Sequence, residues 1–495
     1  MNSTCATLPR VSDVARRAPS GGVEPTAAPS LSAADLVAIT GGTLLSRSTR
    51  PIRGASVDSR TLRPGQLFVA LPGERTDGHA FLADAVAAGA AGLVVSRPVD
   101  STTLGDISVV LVRDGLAALQ AIAAAWRTRF APLVVGVTGS IAKTSTKEAI
   151  ASVLGTRYRT LKNEGNLNNE IGLPVTVLGM GPEHKAAVLE MGMYVGGEIR
   201  QLARIARPQI GVVTAVQPVH LSRIGTIEAV ERAKGELVEE LPPADEGGAA
   251  VLNADDERVR RMSSRTRARS VTYGFAGDAD VRAEGVESAG LGGMRFVLVL
   301  PEDRRPVSTP ALGRLSVHNA LAAVAVGHVI GLDLDEIEAG LAHGWSAPHR
   351  TQVVEAGGVT IVDDSYNASP ASVTAALELM SGVPGRHVAV LGEMLELGNA
   401  ADEGHREVGR AAADVCDLLL VVGAGAREMV RGAVEAGMPA ASILSPETAD
   451  EAVSLLEREL RRGDVVLVKA SRGIALEQVV DGLAARLGAA ERAVR

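Results

Sequence analysis

Between about residue 131 and residue 344, short apolar runs alternate with stretches of helical pattern, and this alternation constrains the fold more than any other feature of the chain. The runs are LVVGVTG, AAVLEMG, IGVVTAV and AAVLNAD, each bounded by turn residues. Runs of this length are candidates for buried strands, and their alternation with helices implies a mainly parallel sheet. Ligand sites in such sheets lie at the carboxyl ends of the strands. Each run ends in a polar residue placed to face one: Thr138, Glu190, Thr214 and Asn253.

The pattern changes on either side. From about residue 31 to about 130, alternating runs such as SVDSR and QLFVALPG mix with Ala-rich helical stretches and read as a small α/β domain. A further α/β unit begins near Trp345, with strand candidates VTIVDDS, HVAVLGE, DLLLVVGAG and DVVLVKAS. A chain of 495 residues suits about three domains. The expected division is a tail over 1–30, then α/β domains over 31–130, 131–344 and 345–495. Residues 1–30 are rich in Ser, Ala, Pro and Arg without a continuous apolar segment, which reads as a disordered tail rather than a secretory signal.

Composition narrows the partners. A net charge of −8 leaves no basic footprint for nucleic acid, and aromatics at 2% leave little to stack bases on. An anionic substrate therefore needs locally placed cations. The two cysteines, Cys5 and Cys416, build neither a disulfide framework nor a zinc site, so a reducing, cytoplasmic setting is expected. No run is long and apolar enough to suggest a membrane span.

The chemistry starts at GVTGSIAKTST, Gly136 to Thr146. An apolar strand enters a glycine turn and leaves into a helix, the context in which backbone N–H groups and a helix N-terminus bind phosphate. Gly139, Ser140, Ala142, Lys143, Thr144 and Ser145 form the candidate loop. Lys143 is placed to reach the outer phosphates and the Thr144 hydroxyl to meet the associated Mg²⁺. The P-loop pattern wants glycine where Val137 and Ala142 stand. Ala142 is acceptable there on condition of a negative φ. Taken alone, a strand–turn–helix with a chance Lys-Thr is the competing reading. By the same standard His220 is an ordinary loop histidine, Lys234 a solvated helix lysine and Asn319 a helix-capping residue.

The loop is followed in order by GNLNNEIGLP, VLEMGM, HLSRIGT and AKGEL, then by DDSYNASP, LGEMLELG and VKASRG. This order and spacing resemble the Mur ligases from about residue 31 to the end. The run NLNNEIG is most similar to the member that adds D-alanyl-D-alanine to a UDP-N-acetylmuramoyl-tripeptide. The resemblance implies a nucleotide-sugar-binding first domain, a P-loop ATPase second domain, and a Rossmann-like third domain that binds the incoming dipeptide. It also implies an ATP-dependent, ADP-forming ligase acting as a monomer in peptidoglycan precursor synthesis.

The resemblance implies roles residue by residue. Glu190 bridges two Mg²⁺ ions, with Thr144 on the first and His220 on the second, and Lys234 is a candidate for carbamylation beside the second metal. Asn319 contacts adenine, Asp364 the ribose, and Arg350 reaches across from the third domain to the γ-phosphate. Ser59, Arg60, Asp77, Gly78 and His79 contact the UDP portion, Asn168 and Asn169 the muramoyl-peptide, and Ser471 and Arg472 the peptide end of the acceptor. Two positions depart from the family pattern: His349 stands where glycine usually precedes the arginine, and Glu393 replaces an aspartate. Alternatives are a Mur-type ligase with another amine or acceptor, and a non-catalytic nucleotide-binding homologue. A P-loop motor or GTPase lacks support, for no switch-like motifs occur.

Overall fold

The structure, a computed structural model, describes residues 29–73, 76–218 and 224–494. The expected tail over 1–30 thus lies outside the described residues apart from Pro29 and Ser30. Among the described residues, three sheets follow one another along the chain. Strands β1–β5 (Thr43–Ser46, Ala55–Ser56, Leu67–Val69, Gly92–Val95, Ser108–Leu111) form the first, in the order β1-β5-β4-β3-β2. Only the β1–β5 pair in it is antiparallel.

The central sheet contains β6–β14: Leu133–Thr138, Thr160–Lys162, Ala186–Glu190, Ile210–Val213, Ala249–Asn253, Arg269–Gly274, Val281–Ser288, Met294–Leu300 and Asp303–Thr309. Its order is β14-β13-β12-β11-β10-β9-β6-β8-β7. The four expected runs are β6, β8, β9 and β10, all parallel to their neighbours. The sequence reading did not anticipate the antiparallel extension β12–β14. Those strands alternate exposed and buried residues, a weaker signal than a run buried throughout.

The third sheet holds β15–β20: Gln352–Ala356, Val359–Asp363, His387–Gly392, Leu418–Val422, Ile443–Leu444 and Val465–Lys469, in the order β15-β16-β20-β17-β18-β19. All but the first pair are parallel. In both larger sheets the chain direction across the sheet reverses, beside β6 in one and around β20 in the other. Such a reversal splays the connecting segments and opens a crevice at the strand ends.

The first two sheets share one hydrophobic core. Leu119, Ile122 and Trp126, on the helix Gly115–Arg127, pack with Val69 and Val94 of the first sheet and with Leu173, Val177 and Leu189 of the central region. Asp114 caps that helix, and the Trp126 indole donates to the Met180 carbonyl at 3.0 Å. The opposite face of the central sheet is covered by the helices Lys143–Gly155 and Arg314–Val329. The third sheet has its own core on each face.

Two helices of the third unit, Ala401–Val415 and Arg427–Glu435, approach each other at glycines. A Cβ on Gly432 would stand 2.1 Å from the Arg406 carbonyl oxygen, and one on Gly409 would stand 2.0 Å from that of Met429. Gly432→Ala is therefore expected to force the helices apart and destabilise the protein by about 1–3 kcal/mol in denaturant unfolding. Gly155→Ala, where an added Cβ meets nothing within 4 Å, is the matched control and is expected to be neutral or slightly stabilising.

Candidate active site

The phosphate-loop geometry follows from close backbone approach. A Cβ on Gly139 (φ +154°) would lie 1.8 Å from the Thr214 hydroxyl oxygen, so no side chain fits there. That hydroxyl donates to the Ile141 carbonyl at 2.6 Å, and the Ser140 N–H donates to the Ala215 carbonyl at 2.7 Å. The loop is thus sewn to the exit of β9. The helix Lys143–Gly155 that follows has no side-chain N-cap. Its first-turn N–H groups and the positive end of its dipole remain available to an anion. Lys143 folds back on the loop, its Nζ donating to the Gly139 carbonyl at 2.8 Å. Burial lowers its pKa; Glu190 opposes that shift and Arg350 adds to it.

Ala142 does not meet the condition set from the sequence. Its φ is +64° and its ψ 0°, in the left-handed region, where Cβ crowds the carbonyl oxygen at a cost of about 1–2 kcal/mol. The loop keeps the conformation that glycine would adopt and carries the strain of a methyl group.

Glu190, at the end of β8, is 1% exposed. Its Oε1 accepts from Asn168 Nδ2 at 2.7 Å, while Oε2 is buried with no hydrogen-bond partner. Leaving a carboxylate oxygen buried and unsatisfied is costly, and a cation is one group that could satisfy it. Its placement is enforced from behind. The Asn163 side-chain oxygen accepts from the Glu190 N–H at 2.7 Å, and Asn163 Nδ2 donates to the Leu167 carbonyl at 2.5 Å. Lys147, wholly buried on the phosphate-loop helix, donates to the Asn163 carbonyl at 2.7 Å. Its charge is balanced by Glu148 at 3.1 Å, which also pairs with Lys162.

Lys234 lies on the helix Ile227–Glu239, started by Thr226, whose side chain accepts from the Ala229 N–H. It is 2% exposed, which overturns the reading of a solvated helix lysine. Burial first, and the Lys143 charge second, set its pKa well below that of an ordinary lysine. His220 lies outside the described residues.

The third sheet supplies the opposite wall. Arg350 stacks over the Tyr366 ring at 4.2 Å, and Arg472 over the same ring at 4.9 Å. Burial raises the Tyr366 phenol, against the lowering effect of the two guanidiniums. Asp364 accepts from the Thr351 N–H at 3.1 Å and pairs with Lys469, which is itself buried. A cavity of about 750 Å³ runs between the walls. Ser140, Ala142, Lys143, Thr144, Ser145, Asn168, Asn169, Glu190, Lys234 and Asn319 reach it from one side, and Arg350, Asp364, Ser471 and Arg472 from the other. Lys143, Lys234, Arg350, Lys469 and Arg472 share the lining with Glu170, Glu190, Glu198, Asp364 and Glu396, a mixture suited to a polyanion carried with its counter-cations.

Several expected contacts have other duties in this structure. Asn169 Oδ1 accepts from the Gly172 N–H at 2.9 Å and so starts the helix Gly172–Leu178. Asn319 Oδ1 accepts from the Thr146 hydroxyl at 2.9 Å, tying two helices, and does not cap its own. The Ser471 hydroxyl accepts from the Leu395 N–H at 2.9 Å, bridging loops. Thr138, Thr214 and Asn253 do not face the cavity as expected. Their side chains bind the backbone of Met191, Ile141 and Thr214 respectively, because close-packed strand exits leave backbone groups that need partners. Glu393 packs over Gly425, away from the cavity.

Ser59, Arg60, Asp77, Gly78 and His79 do not line the cavity. Arg60 is exposed and paired with Asp58. His79 is buried; its Nε2 accepts from the Ser96 N–H at 2.9 Å, so Nδ1 carries the proton and donates to Asp77 at 2.6 Å. Sequence reasoning missed Tyr366, Lys469, Asn163 and Lys147. Tyr366 sits inside the run DDSYNASP, and Lys147 four residues after Lys143, but nothing in a linear pattern shows an aromatic ring under two arginines or a lysine turned inward.

Comparison with known proteins decides the family. Family profiles match residues 51–127 (Mur ligase family, catalytic domain), 137–327 (Mur ligase middle domain) and 349–472 (Mur ligase, glutamate ligase domain). The chain belongs to the Mur ligase family. It is 36% identical over 436 residues to the UDP-N-acetylmuramoyl-tripeptide--D-alanyl-D-alanine ligase of Bacillus subtilis, covering 87% of this chain and 93% of that one. The same-named ligase of Mycobacterium tuberculosis is 37% identical over 504 residues, covering 92% and 98%. Among solved structures, MurF from Acinetobacter baumannii superposes with a TM-score of 0.82 at 30% identity, over 93% of this chain and 100% of that one. The Thermotoga maritima MurF ligase in complex with ADP gives 0.77 at 29%, over 88% and 98%.

Two substitutions test the loop and its support in this Mur ligase. Ala142→Gly removes the left-handed strain, and after the entropy that glycine adds to the unfolded chain it is expected to stabilise by up to about 1 kcal/mol in thermal unfolding. Lys147→Met leaves Glu148 and the Asn163 carbonyl without their buried partner. Glu148 keeps Lys162, so a loss of about 1–3 kcal/mol is expected from the unpaired buried carbonyl, read by the same measurement.

Proposed function

We propose that this Mur ligase joins D-alanyl-D-alanine to UDP-N-acetylmuramoyl-tripeptide at the expense of ATP, releasing ADP and phosphate. One observation carries the reading. An uncapped helix N-terminus and an unpartnered buried carboxylate oxygen face an arginine from a second sheet across one cavity. A carboxylate resists attack by an amine because it is anionic and lacks a leaving group. Transfer of the γ-phosphoryl group of ATP to it supplies one, giving an acyl phosphate. The dipeptide amine then attacks the acyl carbon, and the tetrahedral intermediate collapses to amide and phosphate.

The proposed roles join the cavity geometry to what the family resemblance implies. The first-turn N–H groups after Ala142, with Gly139, Ser140 and Ser145, hold the phosphates. Lys143 leaves its loop carbonyls to meet the β- and γ-oxygens, and Arg350 meets the γ-phosphate from the other wall. Positive groups fixed before reaction stabilise charge as it develops, which is where binding accelerates a step. Asn319 is assigned to the adenine and Asp364 to the ribose. The region 31–130 is assigned to the UDP end through Ser59, Arg60, Asp77, Gly78 and His79, 131–344 to ATP, and 345–495 to the dipeptide. Asn168 and Asn169 are placed toward the muramoyl-peptide, and Ser471 and Arg472 toward the peptide end of the acceptor. Both walls come from one chain, so a monomer suffices, and the precursor substrates place the reaction in the cytoplasm. Among the described residues no helix is long and apolar enough to cross a membrane.

The donor set fits Mg²⁺: Glu190 Oε2 and the Thr144 hydroxyl are hard oxygen ligands, with His220 assigned to a second ion. Two such ions neutralise the crowded phosphate and carboxylate oxygens when bound. Burial and the Lys143 charge set the Lys234 amine well below an ordinary lysine, which favours its addition to CO₂ with loss of a proton, and the carbamate so formed is the one the resemblance implies.

The test is phosphate release from ATP and UDP-N-acetylmuramoyl-tripeptide, with and without D-alanyl-D-alanine. Dipeptide-dependent release is expected, and Lys143→Ala is expected to lower it by at least about 10²-fold. Release that requires a different amine would point to the related reading, which the departures at Ala142, His349 and Glu393 keep in view. No release from folded protein would overturn the proposal.

A further inference from the structure

Arg350 is flanked on both sides by non-glycine residues in the left-handed region: His349 at φ +59° and Thr351 at φ +51°. Each such residue costs on the order of 1–3 kcal/mol and persists only where its surroundings over-determine it. The surroundings here are two adjacent carboxylates at the end of β16. Asp363, 3% exposed, uses Oδ1 to accept from the Ser365 N–H and hydroxyl, and Oδ2 to accept from His349 Nδ1 at 2.8 Å. Asp364 Oδ1 accepts from the Thr351 N–H at 3.1 Å. The circuit closes through Tyr366, whose N–H donates to the His349 carbonyl at 3.0 Å and whose ring carries the Arg350 guanidinium.

We propose that His349 is a positioning residue for Arg350, its hydrogen bond to the buried Asp363 fixing the strained backbone that aims the guanidinium into the cavity. A glycine at 349 reaches the same φ without strain and keeps only its backbone bonds, from the Tyr366 N–H to its carbonyl and from its own N–H to Gln352 Oε1, without the tether to the buried Asp363. This chain exchanges that freedom for a tether. Fixing a group before the ligand arrives removes an ordering cost from binding. The inference rests on the reading that Arg350 meets the γ-phosphate.

The test compares the binding of the non-hydrolysable analogue β,γ-imido-ATP with that of ADP, by calorimetry on the full chain with Mg²⁺. His349→Gly and His349→Gln are expected to weaken the analogue by about 3- to 10-fold, the entropy of one side chain left unfixed, and to leave ADP within about 2-fold. In turnover, KM for ATP rises while KM for the dipeptide does not. His349→Asn is expected to keep the parental affinities. Its Nδ2 occupies the place of the histidine Nδ1, and Asn tolerates the left-handed region. His349→Gly relieves strain and so folds, which keeps the test open should the Gln variant unfold. Equal behaviour of the Gly, Gln and parental proteins would overturn the proposal. Arg350→Ala separates it from the functional reading. If that variant keeps the preference for the analogue over ADP, the γ-phosphate assignment fails and the proposal with it. If it abolishes the preference while His349→Gln does not, only the positioning role fails.

Discussion

The first turn of the helix Lys143–Gly155 has no side-chain cap, and the site is arranged around that opening. Other helix starts in this chain spend a Ser, Thr or Asp on their free N–H groups, as Thr226, Asp114 and Asp333 do. Here the N-cap is Ala142, which offers no acceptor. The unsatisfied donors are held in place by Thr214, whose hydroxyl occupies the space a Cβ on Gly139 would need. The open helix start is a consequence of strand exits packed too closely for side chains, and closing the turn strains Ala142.

Glu190 depends on the same helix. Lys147 points the other way from Lys143, into the protein, and grips the backbone of Asn163, which in turn grips Glu190. One helix therefore presents a cation to the cavity and uses another to brace the carboxylate opposite it. A buried ammonium is stable only because Glu148 and a carbonyl oxygen meet it at short range. This coupling makes the loop 139–145 and the Glu190 carboxylate one rigid unit. The third sheet brings Arg350 and Arg472 to it on a shared aromatic platform.

Much of this was legible in the chain. The eight apolar runs became strands because a stretch buried on both faces leaves no periodicity to mistake, and the ordered motifs led to the family that the comparisons bear out. The strands β12–β14, with their mixed faces, were not legible. Nor were the duties of Thr138, Thr214 and Asn253, whose polar ends satisfy neighbouring loops. A polar residue at a strand end carries the same signature whether it faces a ligand or a backbone group.

By itself the sequence determined the α/β class, the place of the strand–glycine turn–helix at 136–146 and the identities of the charged groups, because these follow from local patterning and side-chain chemistry. Only the tertiary structure decided the conformation of Ala142, the burial of Lys234 and Lys147, and the orphaned oxygen of Glu190. It also decided that His349, a residue that looks out of place before an arginine, is bound to Asp363 across 14 positions of chain. Each of these is set by which atoms meet across distant segments, and desolvation and hydrogen bonding act on that meeting rather than on the order of residues.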